Sequence, residues 1–411
     1  MRLLIISQYF WPESFIINDL ARLLAERRVE VTVLTGKPNY PAGRIFEGYR
    51  AGGIQREQKD GVEVVRVPLL PRGERSGLRL ALNYLSFIVS ASLAGSYALR
   101  GRRFDAVLVY APSPLLQAFA GIILARRKKA PLVLWVQDLW PESLSATGHV
   151  KNNSVLAFVG ALVRAIYRRC DLILVQSRAF VEAVSAYGAP REKIEYFPNP
   201  FIPQEPGAPG KGVSALAARL RQSFSVVFAG NLGAAQDLGT ILEAARLLRD
   251  EEIQIVLVGS GSRERWLEEQ QTALGLSNVV LAGRFPAEDM PHIFAAASAL
   301  LVTLAPEPIF ARTVPSKVQA YLAAGRPIVA ALDGEAARII AEAGAGVCVP
   351  AGRAVELADA IRTLHRASTE QREAFGQRGR AYFERNFEPQ KLTSDLIAIL
   401  ERAIEAREKA Q

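Results

Sequence analysis

Twice along this chain, short apolar runs alternate with segments long enough for a helix, and a proline- and glycine-dense stretch separates the two series. The first series of runs is 3–7, 29–35, 62–70, 104–111, 132–137, 172–176 and 194–197, with helices fitting at 14–26, 77–99, 114–128, 154–169 and 178–187. The second is 226–229, 253–259, 279–282, 299–305, 327–331 and 346–350, followed by a charged helical tail over 353–408. The runs are nearly continuous valine, isoleucine and leucine, as parallel strands covered on both faces require. Strand–helix repetition at this spacing predicts βαβ units and open doubly wound sheets. The expected architecture is α/β: a Rossmann-like domain over 1–197, a linker at 198–213, a second Rossmann-like domain over 214–384, and a C-terminal helix at 385–411 packing back on the first domain. The domains are expected to face a central cleft, with ligands beyond the carboxyl ends of the strands.

With 411 residues, half of them hydrophobic, the chain has material for two real cores. Cys170 and Cys348 are the only cysteines, and both sit in apolar surroundings, which excludes a disulfide framework and suggests a reducing compartment. His149, His292 and His365 have no metal-ligand spacing, so no metal site is expected. The N-terminus, MRLLIISQYF, reads as a first buried strand rather than a signal-peptide core. A net charge of +9 suits nucleic acid, anionic lipid or nucleotide-type ligands. No nucleic-acid motif accompanies it, and nucleic acid is not an expected partner.

In the stretch 306–325, PEPIFARTVPSKVQAYLAAG, a helix is predicted to begin near Pro315-Ser316 and to end at Gly325. Lys317 in its first turn opposes the helix dipole, a penalty that a bound phosphate would reverse; otherwise it is a solvated surface lysine. Three strands end in glycine: Gly230-Asn231-Leu232-Gly233, Gly259-Ser260-Gly261 and Gly283-Arg284. Glycine at strand ends lets backbone N–H groups approach a diphosphate, though it also makes ordinary βα turns. Together with Lys317 these ends suggest a nucleotide diphosphate pocket.

In the first half, Asp138 falls at a strand end within WVQDLWPES, where it can accept a proton from a substrate hydroxyl or cap the next turn. Glu13, after the first strand, can bind a hydroxyl or cap the first helix. The loop Gly36 to Gly43, with Lys37, Asn39 and Tyr40, suits an anionic acceptor or a plain turn. The segment 80–99 has no charge and is flanked by Arg75, Arg79, Arg100, Arg102 and Arg103. It is just long enough to span a bilayer, but it interrupts a sheet. A crossover helix lying on an anionic membrane surface fits better, with a buried crossover helix as the alternative.

The stretches SQYFWPES, NDLARLLAERRVEVTVLTGKPNYP, VQDLWPES, FAGNLG and VPSKVQAYLAAGRPIVAA resemble retaining glycosyltransferases of family four, of GT-B fold, and within them the WbuB type of O-antigen and capsule transferase. The likeness covers nearly the whole chain. It implies sugar transfer, with an N-acetylhexosamine as the expected sugar, from a UDP-sugar bound by the second domain to a polyprenyl-diphosphate-linked acceptor bound by the first. No metal or cofactor is implied, and the location implied is cytoplasmic, peripheral at the inner face of the plasma membrane. On this resemblance Gly230, Asn231, Gly233, Gly259, Arg284, Arg312, Ser316 and Lys317 bind the donor. Glu13, Lys37, Asn39 and Tyr40 bind the acceptor, and Asp138 and Lys317 are catalytic.

The chain departs from the family's pattern in three places. The positions of the family's two glutamates are Arg312 and Ala320 here, with Glu307 or Gln319 as candidate substitutes. The Arg and Lys that many members place after the glycine loop are replaced by Ala235, Gln236 and Asp237, and Gln137 stands where His is common before the carboxylate. Two alternatives stay open: a sugar-nucleotide epimerase acting on a UDP-N-acetylglucosamine-type substrate, and a non-catalytic nucleotide-sugar-binding assembly partner.

Overall fold

The computed structural model describes residues 1–73, 77–146 and 152–409; His149, Arg75 and the last two residues of the C-terminal segment lie outside these. The chain divides into two compact units, Met1–Pro200 with Pro389–Gln411, and Phe201–Glu388.

The first unit holds an eight-stranded sheet: β1 (Arg2–Ile6), β2 (Glu30–Thr35), β3 (Gln55–Lys59), β4 (Val62–Arg66), β5 (Ala106–Ala111), β6 (Leu132–Val136), β7 (Leu172–Val175) and β8 (Ile194–Tyr196). Their order is β3-β4-β2-β1-β5-β6-β7-β8. All neighbours pair in parallel except β3 with β4. The edge strand β3, QREQK, escaped the sequence reading because it is wholly polar; it is half-exposed and carries no apolar run. Helices cover both faces. Ile16–Glu26 buries Ile17, Leu20, Ala21, Leu23 and Leu24, the spacing of one helical face. Pro389–Lys409 returns to this unit, and its Leu392, Leu396, Ile399 and Leu400 join a core with Leu3, Ile5, Leu20 and Val31.

The second unit holds six parallel strands, β9 (Phe224–Ala229), β10 (Ile253–Val258), β11 (Val279–Gly283), β12 (Ala299–Thr303), β13 (Ile328–Ala331) and β14 (Gly346–Val349). Their order is β11-β10-β9-β12-β13-β14. The order reverses beside β9, where such sheets open a crevice at their carboxyl ends. Three expectations are corrected. A helix, Lys211–Leu220, already begins inside the predicted linker. The tail is three helices, Ala354–Arg366, Thr369–Asn386 and Pro389–Lys409. The first break is marked by a capping box, in which Ser368 accepts from the Gln371 N–H while Gln371 reaches back.

The long apolar segment is also subdivided, into Gly77–Ser90, a π-helical turn Ala91–Gly95, and Ser96–Ala98. One face of it is buried through Asn83, Phe87, Ala91 and Leu99. The other face exposes Leu78, Leu82, Leu85, Val89, Leu93 and Tyr97, a stripe at helical spacing. Among the described residues, Gly77–Ala98 is one stretch long and apolar enough to cross a membrane by length and composition.

Candidate functional site

Two cavities hold most of the residues singled out above, one in each unit. The cavity of the second unit, of about 650 Å³, is lined by Gly230, Asn231, Gln236, Gly259, Arg284, Ser316 and Lys317, with Phe285, Phe294, Ala320 and Tyr321 among the rest of its wall. Its floor is made by strand ends in close backbone contact. Gly259 (φ +144°) lies so near the Gly230 carbonyl that a Cβ there would sit 1.8 Å from the oxygen. The Gly230 N–H donates to the Val258 carbonyl at 2.9 Å, and the Gly259 N–H to Gly283 at 2.8 Å. These two glycines therefore serve first to let the strand ends meet; their N–H groups are already engaged.

The helix Ser316–Ala324 starts after Pro315 and ends at Gly325 in the left-handed conformation (φ 64°), as its sequence predicts. The buried Tyr321 hydroxyl accepts from the Ala229 N–H at 2.9 Å, which ties this helix to the end of β9. Lys317 is thereby brought over the glycine turn. Its Nζ donates to Gln236 Oε1 at 2.8 Å and stands 3.7 Å from the centroid of the Phe228 ring. Burial pulls its ammonium down to about pKa 7. Gln236, which replaces one of the family's basic residues after the loop, is the partner that sequence reasoning missed; its signal was the polar residue following FAGNLG. Arg284 and Ser316 are exposed at the cavity wall. Gly233 and Arg312 do not line it: Arg312 is exposed after the short turn Pro308–Ala311. Ala320 does line the cavity, whereas Glu307 is exposed elsewhere and Gln319 is buried.

The cavity of the first unit, of about 610 Å³, is mostly apolar and aromatic. Tyr9, Phe15, Tyr40, Tyr84, Trp140 and the Gly77–Ser90 helix form its walls, with Arg72, Asp138 and Ser143 as polar groups. Asp138 accepts from Ser143 Oγ at 3.0 Å and from Trp140 Nε1 at 3.3 Å. Burial nonetheless raises its pKa above the usual aspartate value, against these two donors.

Of the four residues assigned to the acceptor, only Tyr40 reaches this cavity. The Glu13 carboxylate is buried and accepts from the backbone N–H groups of Asn39 (2.8 Å), Tyr40 (2.7 Å) and Phe10 (3.3 Å). Burial still pushes it up to about pKa 7. Asn39 is fully buried; its Oδ1 accepts from the Arg72 N–H at 3.2 Å, and its side-chain amide donates to the Lys37 carbonyl at 3.0 Å. The Lys37 ammonium is buried and donates to Gln55 at 3.2 Å. These three build the loop from behind. Tyr9, Arg72 and Tyr84 were not foreseen, because no local motif marks residues that meet only through the fold.

Comparisons with known proteins agree with this fold. Residues 15–200 match the model of a glycosyl transferase 4-like domain, and residues 223–367 match that of glycosyl transferases group 1. The chain is 30% identical over 309 residues to the probable glycosyltransferase WbjE of Pseudomonas aeruginosa, covering 71% of this chain and 72% of that protein. It is 28% identical over 291 residues to WcaI of Escherichia coli (strain K12), a glycosyl transferase named for colanic acid biosynthesis, covering 68% of this chain and 70% of the relative. Among solved structures, HepE of Anabaena in complex with UDP superposes with a TM-score of 0.69 at 18% identity, over 98% of this chain and 100% of that one. E. coli OtsA with UDP-2-fluoro glucose gives 0.72 at 15% identity, over 97% and 99%. The chain belongs to the family 4 glycosyltransferases of GT-B fold, and it is a transferase enzyme.

Proposed function

We propose that this enzyme moves a sugar from a UDP-sugar held by the second unit to a polyprenyl-diphosphate-linked acceptor held by the first, in the assembly of a bacterial surface polysaccharide. The observation that carries this reading is Lys317. A mostly buried ammonium at a helix N-terminus, facing a glycine turn and partnered by a neutral glutamine, is a site built for an anion. HepE and OtsA, solved with UDP and a UDP-sugar analogue, support a nucleotide-sugar donor, and WcaI supports polysaccharide biosynthesis as the setting.

In this reading the departing diphosphate gathers negative charge, and Lys317, Ser316, Arg284 and the helix N-terminus meet it; such positioned charge is commonly the largest catalytic contribution. Asp138 takes the proton of the acceptor hydroxyl, its raised pKa bringing it nearer to the working pH. Asn231 and the close-packed Gly230 and Gly259 shape the donor floor, with Gly233 behind them. Retention of configuration, an N-acetylhexosamine as the sugar, and independence from metal follow the family resemblance. The exposed aliphatic stripe of the Gly77–Ser90 helix supports docking on the cytoplasmic face of the plasma membrane.

The test is a panel of UDP-sugars incubated with lipid-linked acceptors in the presence of EDTA and read by mass spectrometry. The reading expects one UDP-sugar to add one hexose-type residue to the lipid. A donor isomer or free sugar released into water, with no change in the lipid, would overturn it.

A further inference from the structure

We infer that Arg72 is the specificity-determining anchor for the acceptor's diphosphate. The inference rests on the proposed lipid-linked acceptor but stands on its own geometry. Arg72 lines the first unit's cavity half-buried, with its guanidinium 5.1 Å from the centroid of the Tyr40 ring. Among the described residues no carboxylate pairs with it and no side chain accepts from it. Its position is nevertheless fixed, because its backbone N–H donates to Asn39, whose own N–H is held by Glu13. A pinned cation in an aromatic wall without a counter-ion calls for an anionic ligand.

A second observation points the same way. Tyr9 is 3% exposed and lines this cavity, stacked on Phe15 at 5.3 Å, and its buried hydroxyl has no hydrogen-bond partner among the described residues. A ligand oxygen in the cavity would satisfy it.

The apolar remainder of the site says what the anion is attached to. Leu80, Ala81, Tyr84, Leu85 and Ile88 of the Gly77–Ser90 helix line the cavity. Leu85 is also 54% exposed, in the stripe that continues through Val89 and Leu93. An aliphatic path thus leads from Arg72 to the exposed helix face. The ligand that matches guanidinium, phenol and aliphatic path together is a prenyl diphosphate, with Arg72 and Tyr9 donating to phosphate oxygens and the chain lying along Leu85 and Val89.

The test is calorimetric titration of the full chain in non-ionic detergent, with UDP saturating the second unit, using farnesyl diphosphate, farnesol and inorganic pyrophosphate. Farnesyl diphosphate is expected to bind roughly tenfold or more tighter than either farnesol or pyrophosphate, the worth of charge-assisted hydrogen bonds. Arg72→Gln should erase that preference while leaving farnesol binding unchanged, which reports an intact fold. Arg72→Lys should keep part of it, and Tyr9→Phe should weaken it a few-fold. Equal binding of farnesyl diphosphate and farnesol by the unaltered chain, or a preference that survives Arg72→Gln, would overturn the inference. So would pyrophosphate binding as tightly as the lipid, which would mark a free-anion site. Each outcome is read from binding, so a failure of sugar transfer would count against the proposed reaction and not against Arg72.

Discussion

The two cavities solve opposite problems with opposite materials. The second unit's is built from backbone: strand ends pressed together through Gly230 and Gly259, with one lysine laid over them by a helix N-terminus. The first unit's is built from side chains, a wall of aromatics and leucines around one carboxyl and one guanidinium. In both, burial pushes the key ionisable group toward neutrality, Lys317 downward and Asp138 upward. An incoming diphosphate favours the protonated Lys317, whereas the burial that raises Asp138 makes its carboxylate a stronger base for the proton of an acceptor hydroxyl.

If the division of labour is right, substitutions should separate cleanly by unit. The largest effect belongs to Asp138→Asn, which should lower transfer by roughly 10²–10⁴-fold while leaving UDP affinity unchanged; equal loss of both in a combined kinetic and binding assay would blur the comparison. Lys317→Met should cost about 10²–10³-fold in transfer and also weaken UDP binding, without altering affinity for the acceptor lipid. Gly259→Ala tests the claim that the donor floor is backbone. A Cβ 1.8 Å from the Gly230 carbonyl, at φ +144°, should destabilise the second unit by roughly 2–5 kcal/mol. Denaturant unfolding of the isolated variant checks this against Gly239→Ala in the same unit, where a Cβ meets nothing within 4 Å. The smallest effect is Leu78→Gln with Leu93→Gln, two exposed positions of the stripe. It should reduce vesicle binding about tenfold or more and leave transfer to a detergent-solubilised acceptor unchanged.

The contrast between the cavities also explains what the sequence made legible. The second unit's site was readable because its parts are local: a glycine-ended strand, a proline-led helix start and a lysine in the first turn each leave a mark within a few residues. Its missing piece, Gln236, sits 81 positions from Lys317, and only the fold joins them. The first unit's site was readable only at Asp138 and Tyr40. Tyr9, Arg72 and Tyr84 come from three separate loops and helices and share no spacing. Glu13 and Asn39 were noticed for the right chemistry, but they spend it on the chain's own backbone. Among the elements, β3 was invisible because an antiparallel edge strand made only of charged and polar residues has no apolar period to detect. The start of Lys211–Leu220 was hidden by the glycines that precede it.

The protonation of Lys317 gives the account its sharpest pH signature. In the unfolded chain this amine has the ordinary lysine pKa, and in the folded empty enzyme it titrates near 7. Between those values the unfolded state binds the extra proton, so Lys317 makes stability rise with pH over that window. Diphosphate binding has the opposite sign: it draws a proton onto Lys317 above about pH 7, so affinity must fall as pH rises. The most direct test is therefore the dissociation constant of UDP, measured by calorimetry from pH 6.5 to 9.5 in buffers of different ionisation enthalpy. The enzyme should lose affinity above about pH 7 with a slope approaching tenfold per pH unit and take up a proton on binding, and Lys317→Met should bind more weakly with neither effect. A pH-independent affinity, or a slope and proton uptake that persist in Lys317→Met, would contradict the placement of the donor diphosphate on Lys317.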